Sequence, residues 1–210
     1  AVQAGGALDL DVERLHVDLL SLSGHKLYAP KGVGVLYVRQ GMPILPTQTG
    51  GGQEFGLRSG TENVPYAVGM AHALRLAHDV HASEGERLRS LRERLIHGIL
   101  EAVPGARLTG HPTERLPGNA SFCFGGLEGE ALLLRLDVEG ICASTGSACA
   151  SMEEAPSHVL TAMGIDVTEA RGSLRPTLGR ENDDGDVTRG LRVLPRTVAE
   201  PRALAPNHAV

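Results

Sequence analysis

Several residues of this chain have the types and spacing to do chemistry. Ser23-Gly24-His25-Lys26 is a polar cluster placed directly after an apolar run. A lysine at the end of a buried strand, flanked by His25 and facing a pocket, is placed for desolvation. Desolvation lowers its pKa and frees the amine as a nucleophile toward carbonyls. Ser23 and His25 add a hydroxyl and an imidazole, both suited to phosphate oxygens. Gly60-Thr61, ahead of a helix start, offers backbone and hydroxyl donors to the same kind of anion. Cys149 lies in Ser144-Thr145-Gly146-Ser147-Ala148-Cys149-Ala150-Ser151, a run of small residues with almost no packing value. That pattern reads as a loop presenting a nucleophilic thiol. Arg175 sits in an otherwise apolar strand and needs a counter-group; a bidentate clamp on a substrate carboxylate would supply one. Each residue also has a plainer reading: a solvated lysine, a Ser-Gly turn, an N-cap threonine, a structural ion pair for Arg175. Cys123, between Phe122 and Phe124, and Cys142, after Ile141, both read as core cysteines.

Composition narrows the chemistry. The 210 residues are 41% hydrophobic and 21% charged, an ordinary globular balance. Aromatics are 3%, without tryptophan, which argues against stacking platforms for single-stranded nucleic acid. A net charge of −5 and a pI near 6.0 argue against a polyanionic partner as well. Three irregularly spaced cysteines make no disulfide framework and point to a reducing compartment. Cys142, Cys149 and His158 fit no zinc spacing. No run is apolar enough for a membrane span, so the expectation is a cytoplasmic chain that binds neither membrane nor nucleic acid.

The elements that must position these groups alternate between strand and helix, an α/β pattern. Apolar runs at 17–22 and 32–38 read as buried strands of the parallel-sheet kind. A glycine-rich loop follows, then a helix over 64–80. Ser83 and Glu86 have the capping-box spacing, which predicts a second helix starting there and stopped by Pro104-Gly105. Strands are expected at 106–109, 119–124, 140–143 and 172–178, and helices at 128–136, 157–163 and 183–204. The helix from Ser83 is the expected hinge between two domains, 1–80 and 81–210.

These motifs together resemble the cysteine desulfurases of the iron–sulfur-assembly and nitrogen-fixation group, in the class-V aminotransferase family. Ser23 to Lys26, followed by Tyr28-Ala29-Pro30-Lys31-Gly32, resembles that family's pyridoxal-phosphate lysine motif. Gly50-Gly51-Gly52-Gln53-Glu54 through Arg58-Ser59-Gly60-Thr61 resembles its glycine loop. Ser147-Ala148-Cys149 resembles its active-site cysteine segment, and Arg175-x-Thr177-Leu178-Gly179 its carboxylate motif. Phe55 stands where the family usually has an arginine. The likeness covers essentially the whole chain and corresponds to the carboxy-terminal half of the family.

The resemblance implies an aspartate-aminotransferase-like fold, the type I fold of pyridoxal-phosphate enzymes. Residues 1–80 would end the cofactor-binding large domain, and 81–210 would form the small α/β domain with the cysteine loop. Lys26 would carry pyridoxal 5'-phosphate as a Schiff base. Gln3 would hydrogen-bond the ring hydroxyl, and Ser23 and His25 would hold the phosphate. Thr61 would reach the cofactor phosphate of a second subunit, which implies a homodimer. Arg175 would bind the carboxylate of L-cysteine. Cys149 would take the substrate sulfur as a persulfide, leaving L-alanine, and pass it to an acceptor or iron–sulfur scaffold protein. The same thiol would serve as a transient iron–sulfur ligand. Two alternatives stand beside this reading: an aminotransferase or selenocysteine lyase relative, and an inactive fragment lacking the other half of the cofactor site.

Overall fold

The connection between the first two strands has ten residues, 24–33, and this length decides their pairing. A parallel crossover needs a dozen or more residues, whereas an antiparallel pair does not. The computed structural model, which describes residues 1–146 and 155–204 (the side chains of 201–204 excepted), contains the antiparallel pair. β1 (Leu19–Ser23) runs against β2 (Gly34–Val38), with Leu20 opposite Tyr37 and Leu22 opposite Val35. The expectation of buried parallel strands is therefore corrected. Leu19 and Leu36 remain about half exposed.

The chain divides into two compact units, 1–85 and 86–210. In the first, Leu27, Met70 and Ala73 form a small core with Leu22, Val33 and Ala77 packed on it. Arg39 at the end of β2 ties down the preceding segment. It pairs with Glu13 at 2.8 Å and Asp18 at 3.0 Å, and donates to the Val17 carbonyl.

α1 (Val64–Ala102) is one continuous helix of 39 residues, not two. Its cap is Asn63, whose side-chain oxygen accepts from the Tyr66 N–H at 3.2 Å. Ser83 starts no helix: its hydroxyl back-bonds to the Val80 carbonyl at 3.1 Å inside the helix, the alternative open to a mid-helix serine. Pro104-Gly105 ends the helix as expected, with Gly105 at φ 74°.

In the second unit, β3 (Ala106–Leu108), β4 (Phe122–Phe124) and β5 (Ser173–Leu174) form an antiparallel sheet in that order. α2 (Gly129–Val138), α3 (His158–Ala162), α4 (Val167–Arg171) and α5 (Asp184–Leu204) cover it. Strand alternation sorts β4 between two cores. Phe122 and Phe124 join Leu95, Ile99, Leu132 and Val198 on one face. Cys123 faces Leu160, Ile165 and Ala170 on the other. The sheet depends on close backbone approach: a Cβ on Gly172 would overlap the Phe124 carbonyl oxygen, and one on Gly118 the Leu178 carbonyl oxygen. The strand expected at 140–143 does not form. The one expected at 172–178 is regular only over Ser173–Leu174, continued by single bridges at Arg175 and Thr177.

Candidate active site

The lysine motif forms a tight turn at the end of β1. Gly24 to Leu27 make one turn of 3-10 helix with Ser23 as its extended N-cap. Only glycine fits at its start. A Cβ on Gly24 would meet Val33 Cγ1 at 2.7 Å and the Val33 carbonyl oxygen at 3.1 Å. Leu27 turns inward to the core, and His25 and Lys26 are left exposed. The desolvated lysine expected from the sequence is thus not found within this chain: consecutive turn residues cannot all face inward, and Leu27 takes the buried place. Ser23 Oγ and His25 Nδ1 lie 2.9 Å apart in a hydrogen bond. Gln3 is exposed on a turn that packs beside the motif. The Ala1 nitrogen donates to the Ser21 carbonyl at 3.0 Å, and Gly5 approaches Leu22 and Leu27 so closely that a Cβ there would lie 3.2 Å from both.

Thr61 is exposed and free of capping duty, because Asn63 performs it. The loop before Thr61 is shaped by Ser59, which is buried and donates to the Gly51 carbonyl at 2.8 Å. The Gly60 N–H donates to Gln53 Oε1 at 3.2 Å. The residues of this unit fit a phosphate-bearing aldehyde cofactor: amine, hydroxyl and imidazole stand within four positions of one turn, and Lys26 makes no ion pair among the described residues.

The second unit holds the other candidates. Cys149 lies outside the described residues, which on its amino-terminal side reach 146. The Arg175 N–H donates to the Ser144 carbonyl at 2.5 Å, and the Ser144 N–H to the Arg175 carbonyl at 3.4 Å. The opposite edge of the Arg175 segment is held by Ala120, which donates to the Pro176 carbonyl at 3.2 Å. Arg175 Nε is buried without a hydrogen-bond partner, and Arg175 makes no ion pair among the described residues. The structural ion pair weighed for it is absent there, so this nitrogen awaits an acceptor from outside the described residues. Sequence reasoning missed Ser173, Asn63 and Ser59; each is a small polar residue whose hydrogen bond serves a site segment, and none carries a distinctive local signal.

The cysteines separate clearly. Cys123 is fully buried, and burial first, then Glu169, pushes its thiol up to about 11. Cys142 is exposed rather than buried. Its neighbour Ile141 packs on the core, and in an extended segment the next side chain points the other way. Among the described residues no group of acidic, histidine or cysteine side chains is placed to hold a metal ion. No described helix is long and apolar enough to cross a membrane. Iodoacetamide at pH 8 is therefore expected to label Cys142 at least about tenfold faster than Cys123, because Cys142 is exposed whereas Cys123 is buried with its thiol pushed up to about 11. Peptide mass spectrometry of the native protein checks this; comparable labelling would refute the assignment.

This α/β chain, with a lysine on a glycine-started turn and an arginine whose Nε is buried without a partner among the described residues, has the fold of the type I pyridoxal-phosphate-dependent transferases. The chain belongs to the aminotransferase class-V family, whose model matches residues 1–189. It is 50% identical over 206 residues to the cysteine desulfurase IscS of Methanosarcina thermophila, covering 98% of this chain and 51% of that one. It is 48% identical over 206 residues to a cysteine desulfurase of Gluconacetobacter diazotrophicus, covering 98% of this chain and 52% of the relative. The solved structure of a NifS-like protein superposes with a TM-score of 0.84 at 36% identity, covering 95% of this chain and 51% of that one. The chain spans about half the length of the curated relatives it matches.

Proposed function

We propose that the full-length protein is a cysteine desulfurase. The observation that carries this reading is that the Arg175 backbone pairs with that of Ser144, five residues before Cys149 in sequence, while the Arg175 guanidinium keeps a buried nitrogen without a partner among the described residues. Lys26, Gln3, Ser23 and His25 hold pyridoxal 5'-phosphate, and Thr61 reaches the cofactor phosphate of a second copy in a homodimer. The bound cofactor supplies an electron sink beside the α-carbon of the substrate. Lys26 carries the cofactor on Nζ and then moves a proton at that atom. Arg175 binds the carboxylate of L-cysteine and fixes its orientation.

The Cys149 thiolate attacks the substrate sulfur. A sulfur–sulfur bond forms as the substrate carbon–sulfur bond breaks, so L-cysteine and the thiol become L-alanine and a persulfide with no external oxidant or reductant. The persulfide then passes its outer sulfur to an acceptor such as an iron–sulfur scaffold protein, with Cys149 as a transient cluster ligand. This chemistry belongs in the reducing cytoplasm.

The test is an assay of the cofactor-loaded, full-length protein with L-cysteine and a reductant, measuring alanine and sulfide. Equal amounts of both are expected. Transamination without sulfide would refute the reading. Arg175→Leu is expected to raise KM for L-cysteine about 10- to 100-fold, the worth of charge-assisted hydrogen bonds to a carboxylate.

A further inference from the structure

The segment that carries Arg175 is paired along both edges. Ser144 holds one of them. On the other, the Ala120 N–H donates to the Pro176 carbonyl at 3.2 Å and the Leu178 N–H to the Gly118 carbonyl at 2.8 Å, with Asn119 bridged to Thr177 between them. Residues 118–120 are thus the edge along which 176–178 lie. The fit is close: a Cβ on Gly118 would stand 2.2 Å from the Leu178 carbonyl oxygen. One side chain ties this edge back to the sheet. Arg115 Nη2 donates to the Thr109 carbonyl at 2.8 Å, Nε to the His111 carbonyl at 2.8 Å and Nη1 to the Asn119 carbonyl at 3.4 Å. Thr109 follows β3 directly and is itself anchored. It is buried, its N–H donates to the Ser121 carbonyl at 2.8 Å, and its hydroxyl donates to Ser121 Oγ at 2.8 Å. A single planar guanidinium therefore closes the loop from an anchored residue to the edge beside Arg175. Arg115 forms no ion pair among the described residues, so its bonds to these carbonyls are what hold it in place.

We infer that Arg115 is a positioning residue for Arg175. By bridging Thr109, His111 and Asn119 it sets the 118–120 edge, and that edge sets residues 176–178. The place of the Arg175 backbone follows, and with it the origin from which the buried, unpartnered Nε is presented to a carboxylate. Arg115 itself touches no substrate; it acts through the backbone. The inference rests on the desulfurase reading above, which assigns the substrate carboxylate to Arg175.

The test uses the cofactor-loaded, full-length protein and measures binding by calorimetry. L-alanine carries the carboxylate; ethylamine lacks it. Arg115→Ala is expected to weaken L-alanine about three- to tenfold and to leave ethylamine within about twofold, with KM for L-cysteine rising in step with the L-alanine loss. Arg175→Leu is expected to weaken L-alanine more, and the double variant to bind it no more weakly than Arg175→Leu alone, because the group to be placed is gone. L-alanine binding unchanged in Arg115→Ala, an equal loss for both ligands, or losses that add in the double variant would each overturn the positioning. Should Arg115→Ala not fold, Arg115→Lys decides. Its compact ammonium does not span three carbonyls, so the same selective loss is expected, and wild-type L-alanine binding would refute the inference. A wild type that makes no alanine from L-cysteine overturns the desulfurase reading; normal alanine production without the selective loss overturns the positioning alone.

Discussion

Cys149→Ala is expected to reduce alanine and sulfide formation from L-cysteine by roughly 10³-fold or more in the full-length protein, since it removes the only atom proposed to accept sulfur. Neither other cysteine is placed to replace it. Cys123 is sealed between Leu160 and Ala170 with its thiol pushed up to about 11, so it stays protonated at neutral pH. Cys142 is exposed but sits on an anchored segment: the Ile141 N–H donates to the Leu136 carbonyl at 2.8 Å, and Ser144 is paired with Arg175. The loss is expected to be selective. Exchange of the α-proton of L-alanine with D2O, which needs Lys26 and the cofactor but no thiol, continues at the wild-type rate. Proton NMR reads this exchange alongside product formation. A variant that keeps a tenth of its desulfurase activity would sink the assignment of Cys149.

The candidate residues of the proposed site are picked out in the sequence by residue type. Lys26, Arg175 and the small-residue run around Cys149 stand out because their local contexts do not explain them. Phe122-Cys123-Phe124 likewise reads as an apolar strand with a core cysteine, and the structure adds that its side chains divide between two cores. The errors come from information that is not local. The parallel reading of residues 17–38 followed hydrophobicity and overlooked a connection too short for a crossover. The capping-box spacing at Ser83 is real, but a box caps only where a helix begins, and Asn63 had already begun this one. Cys142 follows a core isoleucine in sequence, yet the strand expected to hold it has no partner over 140–143.

Ser173 illustrates the opposite case. A serine in a strand beside a glycine says little, and the bond from its hydroxyl to the Thr145 carbonyl, 28 residues away, appears only in the fold. The same holds for Gly118, Gly129 and Gly172. None is singled out by the sequence, and each permits a backbone or side chain from a distant segment to come within van der Waals contact. Catalytic residue types can thus be proposed from one sequence, whereas the residues that hold them in place emerge from packing.

Lys26→Ala is expected to abolish the covalent cofactor absorbance and to lower desulfurase turnover by about 10²–10⁴-fold, the usual worth of a positioned proton-transfer group. The composition sharpens the expectation. Lys26 and Lys31 are the only lysines among 20 lysine and arginine residues, so a chain that otherwise uses arginine keeps at position 26 an amine that can lose its proton. Lys26→Arg preserves the charge but not that capacity, because a guanidinium is not deprotonated in proteins. It is expected to be as inactive as the alanine variant. Lys31→Ala, on the same connection and equally exposed, serves as the control and is expected to keep its absorbance. Stability is expected to stay within about 0.5 kcal/mol for Lys26→Ala, since Lys26 is exposed and makes no described ion pair. The variant also separates from Cys149→Ala: α-proton exchange of L-alanine survives loss of the thiol but not loss of the amine. A Lys26→Ala protein that retains both absorbance and exchange would move the cofactor attachment elsewhere and, with it, the role of the whole Ser23–Lys26 turn.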